Sequence, residues 1–103
     1  MKSYRIRTVA EQDIRKAVSY YVTNVGASVA NDFLSEIEAR FGSICEYPDA
    51  GSSYYAGITR IVGLRDRTLT RFPYAIFYVE RDDYVEVLRV LHTARDIPRA
   101  LRR

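Results

Sequence analysis

The segment Tyr84–His92, YVEVLRVLH, is apolar on both faces. Strict alternation puts Val85, Val87 and Leu91 on one face and Leu88 and Val90 on the other. A strand of that kind belongs in the interior of a sheet covered on both sides. The chain must therefore build at least three layers, or borrow one. The segment Tyr74–Glu80, YAIFYVE, is a second clear strand, and Arg81, Asp82 and Asp83 form the turn between the two. Pro73 marks a turn or an edge just before it. Residues 64–72 are mostly polar with isolated apolar positions, and residues 58–62 read as the start of a further strand broken by Gly63.

The first half of the chain is helical in pattern. Residues 4–7, YRIR, alternate as a short strand. Thr8 and Glu11 then show the spacing of a capping box. The pattern predicts a helix from there to about Val25, with Gly26 past its end. Ala10, Ile14, Ala17 or Val18, Tyr21 and Val25 form its apolar stripe. Ser28 is placed to cap a second helix, whose stripe is Ala30, Phe33, Leu34, Ile37, Phe41 and Ile44. Gly42 weakens that helix without stopping it, and Pro48 ends it. Two amphipathic helices joined by two or three residues predict an antiparallel hairpin. Residues 48–57, PDAGSSYYAG, lack periodicity and read as a loop, with Tyr54 and Tyr55 offered for contact.

The expected architecture is a single α+β domain over residues 1–103. An N-terminal strand, a helical hairpin and a small, mostly antiparallel sheet follow in the order β-α-α-β-β-β, with a short C-terminal tail or helix. The hairpin covers one face of the sheet. The other face needs the C-terminal tail, ARDIPRALRR, or another chain, and the second option implies a partner and a free chain prone to self-association.

Charge narrows the chemistry. Residues 1–59 carry six bases and seven acids, whereas residues 60–103 carry ten bases, all arginine, and six acids. Arginine pairs bidentately with phosphate or carboxylate, so the second half suits an acidic partner, a nucleic acid or an acidic polypeptide; a solvated sheet face with local Asp and Glu partners explains the same balance. One cysteine, Cys45, and one histidine, His92, make neither a disulfide nor a metal site. The five glycines are scattered, so no phosphate-binding loop is expected, and no nucleophile elbow is present. No cofactor is expected. No apolar run is long enough to span a bilayer, and no apolar stretch follows the N-terminal basic residues, so a cytoplasmic protein is expected.

The stretch 72–96, FPYAIFYVERDDYVEVLRVLHTARD, resembles the signature of the ParE/RelE superfamily of bacterial type II toxin–antitoxin toxins. The N-terminal AEQDIRKAVSYYVTNVGASVANDF and the later EYPDAG agree with it, so the resemblance spans nearly the whole chain. The pairing of FPYAIFY with VLRVLHTARD points to the ParE branch. That branch implies a toxin that poisons DNA gyrase by binding, blocks replication, and is neutralised by a cognate antitoxin. A plasmid- or chromosome-stabilising role goes with it. The target-binding residues implied are Arg65, Arg71, Arg95, Arg99, Arg102 and Arg103.

The RelE branch implies the alternative, a ribosome-dependent mRNA endoribonuclease. Arg65, Arg71, Arg89 and His92 would then be the catalytic set, with ribosome and mRNA as partners. No tyrosine follows Tyr84 and the only lysines are Lys2 and Lys16, which departs from the ribonuclease pattern. A structural His92, hydrogen-bonded within the sheet, is the competing reading of that residue, and a carboxylate partner in the sheet is the competing reading of Arg95.

Overall fold

The computed structural model describes residues 2–102. It runs β1 (Ser3–Ile6), α1 (Thr8–Asn24), α2 (Ala27–Glu46), a 3-10 turn at Pro48–Ala50, α3 (Tyr54–Thr59), β2 (Leu64–Thr68), β3 (Tyr74–Glu80), β4 (Tyr84–His92) and α4 (Ile97–Leu101). The four strands form one sheet in the order β1-β4-β3-β2. β1 pairs with β4 in parallel, and the other two pairings are antiparallel. The α+β class, the helical hairpin and the interior position of β4 are as the sequence implies.

The two helices lie on one face of the sheet. α1 buries Ala10, Asp13, Ala17 and Tyr21, and α2 buries Ala30, Phe33, Ile37, Phe41, Ile44 and Cys45. Phe33 is completely buried. Its ring centroid lies 5.3 Å from Tyr21, 5.4 Å from Phe72 and 5.2 Å from Tyr74. Tilted and edge-to-face rings at this spacing add about 0.5–1.5 kcal/mol per pair beyond simple burial.

Several local expectations are corrected. The capping box does not form: Arg7 is the N-cap of α1, Thr8 is already helical, and no side chain caps the end. Gly26, not Ser28, precedes α2, at φ 133°, a conformation open to glycine. Both N–H groups of Val25 and Gly26 close onto the Tyr21 carbonyl, which turns Val25 outward to 57% exposure and off the core stripe. Residues 54–59, expected as loop and strand start, are helix α3, and Arg60 ends it in the left-handed region at φ 59°.

The most consequential correction concerns β4. Phe77 faces Arg89, but Tyr78 faces Val87, so Leu88 has no opposite number on β3. This bulge shifts the alternation by one residue. Val85, Val87 and Val90 point to the hairpin side, while Leu88 and Leu91 join the opposite cluster. His92 therefore shares a face with Val90 and lies on the hairpin side, its ring 5.2 Å from Tyr74.

That opposite cluster is closed by the chain itself. Ile97, Ala100 and Leu101 of α4 pack on Leu64, Phe77, Leu88 and Leu91, with Tyr55, Ala56 and Ile61 at the margin. Among the described residues, the second face of β4 thus takes its cover from the tail and α3. The expectation of a borrowed layer, and with it the argument for a self-associating free chain, does not hold.

Gly51 is fixed by close approach. A Cβ there would lie 2.3 Å from the Tyr78 hydroxyl and 3.1 Å from Arg65 Cβ. The Tyr78 ring is fully buried and its hydroxyl donates to the Pro48 carbonyl at 2.7 Å, so it cannot swing aside. Gly51→Ala is expected to cost about 1–3 kcal/mol, read as a lower urea midpoint with an unchanged slope.

Candidate functional site

Charge placement starts where β1 ends. Val87 is the last β4 residue paired with β1. Beyond it, the Val90 N–H donates to Asp13 Oδ2 at 3.0 Å. The same carboxylate takes the Arg89 guanidinium bidentately, Nε to Oδ2 at 2.7 Å and Nη2 to Oδ1 at 2.9 Å. Arg89 Nη1 also donates to the Ala100 carbonyl at 3.0 Å. One guanidinium thereby fastens α1, β4 and α4 together. The hydrogen-bonded Asp13 carboxylate raises the Arg89 pKa against the opposing effect of burial, so the guanidinium stays charged. Arg89 is structural, and its fork is already filled.

The other members of the ribonuclease set are scattered. Arg65 on β2 donates to the Gly51 carbonyl at 2.8 Å and pairs opposite Tyr78. His92 pairs opposite Tyr74, at the other end of β3. At ~3.3 Å per residue those positions are about 13 Å apart along the strand. Arg71 lies in the turn before β3, 3.9 Å from Glu36. His92 Nδ1 accepts the Ala94 N–H at 3.0 Å, which leaves Nε2–H as the donor of the neutral ring. The hydrogen-bonded reading of His92 agrees with this contact. Arg65, Arg71, Arg89 and His92 do not converge on one point.

The target-binding candidates fall into two groups. Arg95, Arg99 and Arg102 are all exposed and lie on or beside α4. Asp96 caps that helix through the Arg99 N–H at 3.3 Å. Arg65 and Arg71 lie on β2 and the following turn. Arg103 lies outside the described residues. Among the described residues, Arg95, Arg99 and Arg102 have no carboxylate within ion-pair distance, whereas Arg7, Arg40, Arg71, Arg81 and Arg89 do. A carboxylate partner for Arg95 is therefore not found.

A groove of about 560 Å³ opens beside the hairpin, between α1 and the ends of β3 and β4. Ala17, Tyr21 and Val90 give it an apolar floor, and Lys16, Tyr20, Tyr74, His92 and Arg95 stand on its walls. Sequence reasoning named His92 and Arg95 but missed Lys16, Tyr20 and Tyr74. Lys16 and Tyr20 stand four apart on α1, which was the available signal for a shared face, and Tyr74 reaches the groove through its pairing with His92. Burial pushes the Tyr21 and Tyr74 hydroxyls up, so both are protonated at neutral pH. Burial likewise raises the Cys45 thiol, away from the reactive thiolate. Among the described residues, no three His, Cys, Asp or Glu side chains cluster as a metal site. No described helix is long and apolar enough to cross a membrane.

Two carboxylates set the acid limb of stability. Burial would raise the Glu36 carboxyl, but the Thr70 and Arg71 N–H groups and the Arg40 guanidinium outweigh it and hold it low. Arg7 holds Glu86 low, ahead of the opposing burial, and Arg81 adds to it. A depressed folded-state pKa stabilises above the unfolded value and loses that contribution as pH falls through the folded one. Stability is expected to drop as pH falls below the ordinary glutamate value of 4.5. Glu36→Gln with Glu86→Gln should flatten this acid limb in pH-dependent urea melts. Asp66, raised by burial, works in the opposite sense.

A family model described as "ParE toxin of type II toxin-antitoxin system, parDE" matches residues 4–97. A search of curated proteins finds no match. A solved chain titled "Chromosomal ParDE TA system from P. aeruginosa" superposes with a TM-score of 0.73 at 20% identity, covering 89% of this chain and 96% of that one. At that identity the likeness speaks for the fold, and the family match carries the assignment: this chain belongs to the ParE toxins of type II toxin–antitoxin systems.

Proposed function

We propose that this toxin acts on DNA gyrase by binding, stabilises the cleaved DNA complex and so blocks replication in the cytoplasm, until a cognate antitoxin covers it. The observation that carries this reading is the arginine end of the molecule. Arg95, Arg99 and Arg102 are exposed, face solvent from one short helix and its flanks, and lack a carboxylate within ion-pair distance among the described residues. Such a surface suits phosphates or acidic polypeptide, and it requires no bond-breaking group. An acidic antitoxin segment ordering on the hairpin and sheet would pair with the same arginines. Membership in the ParE family supports the choice of gyrase over the ribosome.

The test is a gyrase supercoiling and cleavage assay with purified toxin, with and without antitoxin. Inhibition or trapped cleavage complexes are expected, relieved by antitoxin and weakened at least tenfold by the triple change Arg95→Gln, Arg99→Gln, Arg102→Gln. No effect on gyrase, together with ribosome-dependent mRNA cleavage lost on Arg65→Ala or His92→Ala, would replace this reading with the ribonuclease one.

A further inference from the structure

From the groove between α1 and the end of β4 we infer a binding site for a nucleoside 5′-phosphate unit, its base against Tyr20 and Tyr74 and its phosphate between Lys16 and Arg95. The cavity, about 560 Å³, falls within the ~300–1,000 Å³ range of small-ligand sites. Its chemistry is one-sided. Asp13 is the one carboxylate among its lining residues, and that charge is already consumed by Arg89 and the Val90 N–H. Lys16 and Arg95 have no carboxylate within ion-pair distance among the described residues, so both remain available to an anion.

His92 adds a directed donor. Its Nδ1 is occupied by the Ala94 N–H, so the neutral ring offers Nε2–H. Aromatic rings stand among these cations: Tyr20 lies one helical turn from Lys16 on α1, and Tyr74 pairs with His92. Tyr20 is 58% exposed and packs edge-on to Tyr21 at 5.5 Å, which leaves ring surface open. Tyr74 is half-buried, held edge-on by Tyr21, Phe33 and His92 at 6.3, 5.2 and 5.2 Å. An open ring, Tyr20, and the exposed part of Tyr74 beside uncommitted cations make an arrangement that takes a base by stacking and a phosphate by charge. An acidic aliphatic peptide would use the cations but not the rings.

This site shares Arg95 with the gyrase proposal but is tested independently of it, because it is read by direct binding to the isolated toxin. The isotope-labelled chain is titrated with dAMP, deoxyadenosine, inorganic phosphate and a 5′-phosphorylated deoxyadenosine oligonucleotide, following the His92 ring and the α1 amides by NMR. dAMP is expected to bind more tightly than either deoxyadenosine or phosphate. Tyr20→Ala should weaken it roughly five- to hundredfold, in the range found for loss of one base-stacking ring. Lys16→Gln with Arg95→Gln should weaken it at least tenfold, while Arg15→Gln, which removes a neighbouring charge outside the groove lining, leaves it unchanged. All these positions are exposed, so the variants keep the core intact. A tighter oligonucleotide assigns the site to a DNA strand end, and a tighter mononucleotide assigns it to a free nucleotide. Equal binding of phosphate or deoxyadenosine, binding indifferent to Tyr20 and Lys16, or no binding at millimolar dAMP would overturn the inference.

Discussion

Asp13→Ala is expected to destabilise the protein by about 3–5 kcal/mol, because it leaves the Arg89 guanidinium buried and unpaired. The two side chains are only 7% and 11% exposed. The change also strands the Val90 N–H, which has Asp13 as its hydrogen-bond partner at 3.0 Å. Arg89→Met removes the charge that needs a partner, but leaves Asp13 buried beside β4. The double change Asp13→Ala with Arg89→Met is therefore expected to be far less harmful than the sum of the single ones. Urea melts of the four proteins give the coupling directly. A single Asp13→Ala loss below ~1 kcal/mol would show that the pair is solvated and that α4 is held by its apolar contacts alone.

Phe33→Ala should cost a comparable ~3–5 kcal/mol, by loss of buried surface and the cavity left behind. The ring sits among Tyr21, Phe72 and Tyr74, which come from α1, the turn before β3 and β3 itself. Collapse of any one neighbour into the space would break its contacts to the others, so little relaxation is available. For a domain of this length each kcal/mol shifts the melting midpoint by about 4–8 °C, so a fall of at least ~12 °C is expected. A fall under ~4 °C would mean that α1 and α2 repack around the gap.

What could be read from the residues follows from periodicity. The hairpin, the β3–β4 turn and the inner place of β4 are all carried by local patterns that the fold obeys. The faces of β4 could not be assigned, because the bulge at Leu88 depends on how β3 lies beside it, and alternation alone carries no mark of it. α3 was missed for a related reason. Its six residues hold no helical stripe, and it forms because Tyr55 and Ala56 have a sheet face to cover.

The ion pair, by contrast, left a trace. Asp13 occupies a position of the α1 stripe between Ala10 and Ala17, and Arg89 interrupts the most apolar strand of the chain. Two opposite charges, each intruding where burial is required, are best satisfied by one another. Of the candidate target residues, the exposure of Arg95, Arg99 and Arg102 followed from their place in a polar tail. The involvement of Arg65 with Gly51 did not, since it depends on the turn that brings residue 51 against β2.

The parallel pairing of β1 with β4 has a bearing on when the toxin comes into being. The first strand to leave the ribosome has the last strand as its partner, with Arg7 and Glu86 79 positions apart and Asp13 and Arg89 76 apart. At ~5–20 residues per second, roughly 4–15 s separate the synthesis of these partners. During that interval α1 has no sheet to lie on, the groove has one wall, and the arginine helix does not yet exist. Long-range pairings of this kind also slow the folding that follows. A nascent chain accordingly lacks the sheet until β4 has been made, and any product that stops short of β4 leaves β1 and the Asp13 carboxylate without their partners.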